Sequence, residues 1–209
     1  SQFLTGVGFT LTRRTLDDPF KPGSGTKFDF GVEQVLAGGD AFQKLDAQVQ
    51  GYFKLREDFY GRKTVLQLKT RVASIPQDSD DVPFYEQYYL GGTSFRGFAY
   101  RGVSPVGIRN DNGEVGDDPV GGTFLFFAGA EVQHPVYEDL FSIVGFLDTG
   151  TVTDEVGLDQ YRASIGFGFR LSVNALSPIP LAFDFGFPIM KEETDEKDIF
   201  SFSLDVPFR

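Results

Sequence analysis

The sequence has no cysteine and no tryptophan, and it has one histidine and one methionine. Without thiols there are no disulfide bridges, no cysteine nucleophiles and no cysteine-ligated zinc. The lone histidine, His134, stands beside Pro135 with no serine motif near it, so it reads as a strand-boundary residue rather than a general base. Basic residues are in deficit: 19 Lys and Arg face 30 Asp and Glu, a net charge of −11. A phosphate backbone requires a basic face, which excludes nucleic acid as a partner. No uninterrupted apolar run approaches the roughly 20 residues of a membrane helix. The opening SQFLTGVGFT shows neither the basic start nor the apolar core of a signal peptide. The acidic runs Asp78 to Asp81, Asp111 to Asp118 and Glu192 to Asp198 lack calcium-loop spacing and read as solvated loops. No pattern calls for a cofactor or a metal, and no enzyme activity is expected.

Phenylalanine and glycine are abundant, with 24 and 25 of the 209 residues. They fall into runs of period two, the mark of strands with one apolar face. Val7, Phe9 and Leu11 follow Phe3 on one face of the first run; Phe28, Phe30 and Val32 oppose Asp29, Gly31 and Glu33 in the second. Leu45 to Leu55 and Leu66 to Val72 supply the third and fourth runs. After a long interruption come Phe124 to Gln133, Phe141 to Asp148, Tyr161 to Leu171, Leu181 to Phe187 and Phe200 to Phe208. This gives an all-β chain of about nine strands, with no helical stripe and no βαβ rhythm. Turns at Ala37 to Asp40, Val136 to Asp139 and Asn174 to Pro178 are short, whereas Asp17 to Gly25 is longer and the loop over about 76–120 is long, as in an antiparallel meander.

A soluble sandwich or barrel hides the apolar face, and a membrane barrel turns it to lipid. Several runs reach the roughly 9–11 residues of a tilted transmembrane strand, and their polar faces carry Lys, Arg, Glu, Asp and Gln along whole strands, as a hydrated lumen allows. Aromatics near strand ends, such as Phe3, Tyr52, Tyr161 and Phe208, suit interfacial girdles. The membrane barrel is the favoured reading. Nine is an odd number for a closed antiparallel meander, so the expectation is part of a larger barrel or a small barrel with another closure.

Inside the long loop, the stretch from Asp81 to Phe98 reads DVPFYEQYYLGGTSFRGF. It resembles the signature of the BamA-type outer-membrane protein assembly factors, the BamA/TamA superfamily. An acidic, aromatic lead-in there precedes an Arg-Gly-Phe tip. Further landmarks occur in order: Thr12-Arg13-Arg14 with Pro22-Gly23-Ser24-Gly25, Gly38-Gly39-Asp40 before Phe42 and Lys44, Phe146 to Val152, and the Phe-rich end. The resemblance implies a sixteen-stranded barrel of which nine strands are visible here, in one domain over residues 1–209 without POTRA repeats. It also implies an outer-membrane location and a role in inserting other barrel proteins. The implied partners are the bilayer, unfolded client proteins and accessory assembly lipoproteins. A secretion transporter for a partner polypeptide and a small passive pore are the alternatives.

In the family this loop folds into the lumen, and its arginine meets acids on the inner wall. The resemblance therefore assigns the loop motif to Arg96, Gly97 and Phe98 and the wall partners to Glu131 and Asp148. A guanidinium suits such a place because it matches carboxylates bidentately and stays charged. Arg101 reads as surface charge, and Arg162 and Arg170 as general lumen electrostatics. Phe202, Leu204, Val206 and Phe208 resemble the recognition signal of outer-membrane proteins, although Arg209 departs from its usual terminal aromatic.

Overall fold

The computed structural model describes residues 4–37, 41–108, 115–138, 140–172 and 180–204. The expectations placed on Phe3, on the Gly38-Gly39-Asp40 turn, on Asp111, on Asp139, on the Asn174 to Pro178 turn, and on Val206, Phe208 and Arg209 lie outside the described residues. The main element of the described residues is one antiparallel sheet of nine strands in simple chain order. Its strands are β1 Leu4–Arg14, β2 Gly25–Ala37, β3 Ala41–Glu57, β4 Lys63–Ser74, β5 Phe124–Tyr137, β6 Phe141–Thr153, β7 Arg162–Leu171, β8 Leu181–Met190 and β9 Phe200–Leu204. Each pairs with its neighbour, and among the described residues β1 and β9 are each paired on one side only. A 13-residue strand such as β2 or β6, tilted by about 45°, rises about 30 Å, the thickness of a bilayer's hydrocarbon.

Burial settles which way the apolar face points. Val7 (73% exposed), Phe9, Val49, Phe53, Ile165, Phe167 and Phe202 stand outside, while Asp148 (2%), Arg162 (1%), Arg170 and Asp184 are buried on the other face. A protein folding in water does the reverse. Here lipid is the solvent of the outer face and the barrel interior holds the charges. Register lines the outer phenylalanines up across strands. Phe167 stacks on Phe185 at 5.4 Å, Phe185 meets Phe200 at 5.4 Å, and Phe183 meets Phe202 at 5.1 Å between ring centroids. Cross-strand aromatic pairs of this kind add stability beyond their buried area, which gives the high phenylalanine content a structural role.

The sheet curls around a cavity of about 410 Å³ that is lined both by Phe20, in the β1–β2 turn, and by Ser203, on β9. Its upper part is filled by the long loop between β4 and β5. Leu90, Phe95, Phe98 and Val103 of this loop pack on Ala73, Leu125, Phe127 and Val152 of the inner wall. Val82 joins Val35, Phe42 and Ile75 in a second cluster. These wall residues break the apolar-out, polar-in rule because the loop, not water, covers them. Short 3-10 turns at Ser79–Asp81, Phe84–Glu86 and Gly92–Ser94 carry the lead-in, and the ladder of Val106–Ile108 with Val115–Pro119 carries the return.

At the opposite end, the β1–β2 turn is organised by Asp17. Its carboxylate accepts from the amides of Gly23 at 2.8 Å and Ser24 at 3.0 Å and pairs with Lys63 at 3.3 Å. Desolvation pushes the Asp17 carboxyl up, but the Ser24 and Gly23 amides and Lys63 outweigh it and hold the group at about 2.

An arginine in place of Phe167, at the middle of β7 and facing lipid, is expected to cost about 2–4 kcal/mol in denaturant unfolding from liposomes. Gln133→Arg, on the inner face, is expected to cost less than about 1 kcal/mol. Equal costs would contradict the assignment of faces.

Candidate functional site

Register brings the inner-face residues of β5 to β8 into one patch. Gly129 lies opposite Asp148, Glu131 opposite Phe146, Ser164 opposite Asp148, and Gly168 opposite Asp184. The tip of the re-entrant loop sits on this patch. Arg96 Nε donates to Asp148 Oδ2 at 2.8 Å and its Nη2 to Asp148 Oδ1 at 2.9 Å, a two-pronged pairing, while Nη1 donates to Glu131 Oε2. The tip backbone is held as well: Ser164 Oγ donates to Arg96 O at 2.5 Å, and Arg96 N–H reaches Asp148 Oδ2 at 3.3 Å. The guanidinium also lies 3.5 Å from the ring centre of Phe146. In a site this buried, such a cation–π contact is worth about 2 kcal/mol.

Two glycines make the approach feasible. Gly97 has φ +97°, a left-handed conformation that side chains resist. Gly186 on β8 lies directly beneath it: a Cβ there would stand 2.5 Å from Gly97 N and 2.7 Å from Arg96 C. Gly166, opposite Phe146, leaves room for that ring, since a Cβ at this position would meet Phe146 Cζ at 2.3 Å. Phe98, next along the tip, is wholly buried against Phe95 at 4.8 Å between centroids.

The structure thus brings Arg96, Gly97, Phe98, Glu131 and Asp148 together. Phe202 and Leu204 lie elsewhere, on the lipid face of β9, opposite Phe183 and Leu181. Val206 and Phe208 fall outside the described residues. Arg170, assigned from sequence to general lumen electrostatics, belongs to the same cluster: it pairs with Glu131 at 3.0 Å and with Asp184 at 2.7 Å. Two guanidiniums therefore share three carboxylates. Arg162 is likewise specific, because it pairs at 2.9 Å with Asp195, whose acidic run reads from sequence as a solvated loop. That reading is corrected for Asp195, which is buried, while Asp78, Asp80 and Asp81 are exposed as expected. Arg101 does not extend freely as a surface charge; it lies over the rings of Tyr89 at 4.4 Å and Tyr100 at 5.5 Å. His134 accepts or donates a bond with Thr64 at 2.9 Å at the foot of β5.

The lead-in has its own fastenings. Lys44 pairs with Glu86 at 2.5 Å, Tyr88 donates to Leu45 O at 3.3 Å, and Gln87 donates to the carbonyls of Ser79 and Val82. Among the described residues no group of three or more acidic or histidine side chains is placed to hold a metal ion. The arrangement is one of docking, with each lumen acid of the clasp met by an arginine.

The sequence profile of the Omp85 superfamily domain matches residues 1–208. The chain belongs to the Omp85 superfamily. It is 29% identical over 180 residues to the outer membrane protein assembly factor BamA of Neorickettsia risticii (strain Illinois), a match covering 80% of this chain and 23% of that protein. The crystal structure of BamA from Haemophilus ducreyi lacking POTRA domains 1–3 shares the fold with a TM-score of 0.80 at 24% identity, over 94% of this chain and 41% of that one. This Omp85 chain therefore spans less than half the length of either relative. It has the character of the C-terminal part of a BamA-type barrel, and its family and relatives place it in the bacterial outer membrane.

Gly186→Ala is expected to lift the tip from the wall, lowering stability by about 1–3 kcal/mol and exposing the loop to trypsin after Arg96 and Arg101. Gly145→Ala, where an added Cβ meets nothing within 4 Å, serves as the control. Equal trypsin resistance in the two variants would contradict the close contact.

Proposed function

We propose that this Omp85 chain is barrel wall from a factor that assists the folding and membrane insertion of other outer-membrane β-barrel proteins. The observation that carries the reading is the Arg96 tip seated on Glu131 and Asp148 inside a wall whose apolar face is turned to lipid. The similarity to a protein named as an outer membrane protein assembly factor supports it. The work is physical rather than covalent. Strand edges in hydrocarbon carry amides whose lack of partners costs several kcal/mol each, so an edge offered by the wall captures a client strand by β-pairing. The seated loop keeps β5 to β8 rigid while a neighbouring edge exchanges partners. The bilayer and the unfolded client are the partners in this reading, with accessory lipoproteins as further ones.

The test is to reconstitute the full-length protein in liposomes, add an unfolded outer-membrane barrel protein, and follow the appearance of the folded client by its resistance to SDS. Faster folding than in empty liposomes is expected, and Arg96→Ala is expected to remove about tenfold of the acceleration because it leaves buried carboxylates unpaired. Equal folding rates with and without the protein would overturn the proposal. Ion conductance without acceleration would point to a passive pore, and release of a polypeptide across the bilayer to a secretion transporter.

A further inference from the structure

The segment between β8 and β9 leaves the wall. β9 pairs with β8 from Leu204 opposite Leu181 up to Phe200 opposite Phe185, and the Gly186 amide still donates to Ile199 O at 2.8 Å. Beyond that point Lys197–Asp198 pairs antiparallel with Gly97–Phe98, the tip of the re-entrant loop. The Ala99 amide extends this ladder by donating to Glu196 O at 2.9 Å. The departure has a cause in the sequence. Continuing the β8–β9 register would put Asp198 opposite Phe187 and Glu196 opposite Ile189, on the face that meets lipid, and Pro188 has no amide to donate.

A buried ion pair fixes the diverted segment. Arg162 Nη2 donates to Asp195 Oδ1 at 2.9 Å and Nε reaches Oδ2 at 3.1 Å, with both side chains 1% exposed. Asp195 Oδ2 also accepts from the Glu192 amide at 2.7 Å, which closes the turn. The same Arg162 donates from Nη1 to Gln160 O at 2.5 Å, tying in the β6–β7 loop. Two residues further along the inner face of β7, Ser164 holds the carbonyl of Arg96. One strand thus anchors the diverted segment and the loop tip side by side.

We propose that residues 191–199 form a second clasp, in which Asp195 locked to Arg162 lets Lys197–Asp198 act as an edge strand on the Gly97–Phe98 tip and couples the upper end of β9 to the seating of the re-entrant loop. Arg162 and Asp195 are positioning residues. The coupling is reciprocal: unseating the tip frees the upper end of β9, and drawing that end away loosens the tip. It gives the lumen loop a physical route to a strand at the margin of the described sheet, and it stands whether or not the barrel inserts clients.

The test is hydrogen exchange read by mass spectrometry on the full-length protein in lipid nanodiscs. Asp195→Ala is expected to speed exchange at least about tenfold in 97–103 as well as in 191–199, with β5 and β6 unchanged. Asp195→Asn, which keeps the shape and one acceptor, is expected to give the same paired change at smaller size and serves if the alanine variant does not fold. Ala99→Cys with Glu196→Cys places a disulfide between facing residues of the ladder. Its oxidation in the Asp195→Ala background is expected to return 97–103 to the wild-type rate. Faster exchange confined to 191–199, in whichever variant folds, overturns the proposal, as does unchanged exchange in both segments.

Discussion

A guanidinium buried in a membrane protein's interior has to be met by carboxylates, and the rest of this structure follows from how that demand is satisfied at Arg96. The side chain is 13% exposed, and the acids that meet it, Glu131 and Asp148, are 12% and 3% exposed. Leaving any member unpaired at such depth is far more costly than the pair is stabilising. The tip therefore has one place to sit, and the acids must come from adjacent strands in fixed register. Arg170 completes the arrangement by sharing Glu131 and drawing in Asp184, so that β5, β6, β7 and β8 are bound through one charged cluster. A lysine would not replace Arg96, because a point charge does not span two carboxylates and a ring face together.

Around this cluster, the wall is shaped to receive a backbone. Gly186 gives way to Gly97, Gly166 gives way to Phe146, and Phe146 in turn supports the guanidinium. Above it, Phe95 and Phe98 press on Phe127 and Leu125, so the charged part of the tip is roofed by an apolar part. The roof covers one side of the ion pairs, whose other side lines the lumen cavity through Arg96, Glu131, Asp148, Arg170 and Asp184. Partial burial of this kind strengthens them. On the outside, stacked phenylalanines of β7, β8 and β9 present lipid with a continuous apolar surface. The two faces are thus held by different physics across a single layer of backbone.

Much of this was legible in the sequence. The nine strands, their order and the faces of most of their residues follow from period-two alternation, because every strand has one face in lipid and pairs with its chain neighbour. Tyr52, expected in an interfacial girdle, instead lies buried on the inner face and donates to Gln50. Residues that depend on the loop's path were not legible. Leu125 and Phe127 interrupt the alternation in the run Phe124-Leu125-Phe126-Phe127, a signal that something apolar covers the inner face, but not of what covers it. Asp195 looks like any acid in an acidic turn, and only the inward swing of 191–199 takes it to Arg162. Arg96 itself stood out through resemblance; its pattern alone, an arginine among glycines and aromatics, does not distinguish a lumen clasp from a solvated loop.

The account stands on Arg96 and Asp148 acting as one unit inside the lumen. A double-mutant cycle measures this most directly: Arg96→Ala, Asp148→Ala and the combined variant, each unfolded by denaturant from liposomes. A buried two-pronged pair predicts an interaction energy of about 2 kcal/mol or more. Additivity within about 0.5 kcal/mol would show that the tip is not held by this pair and would contradict the account.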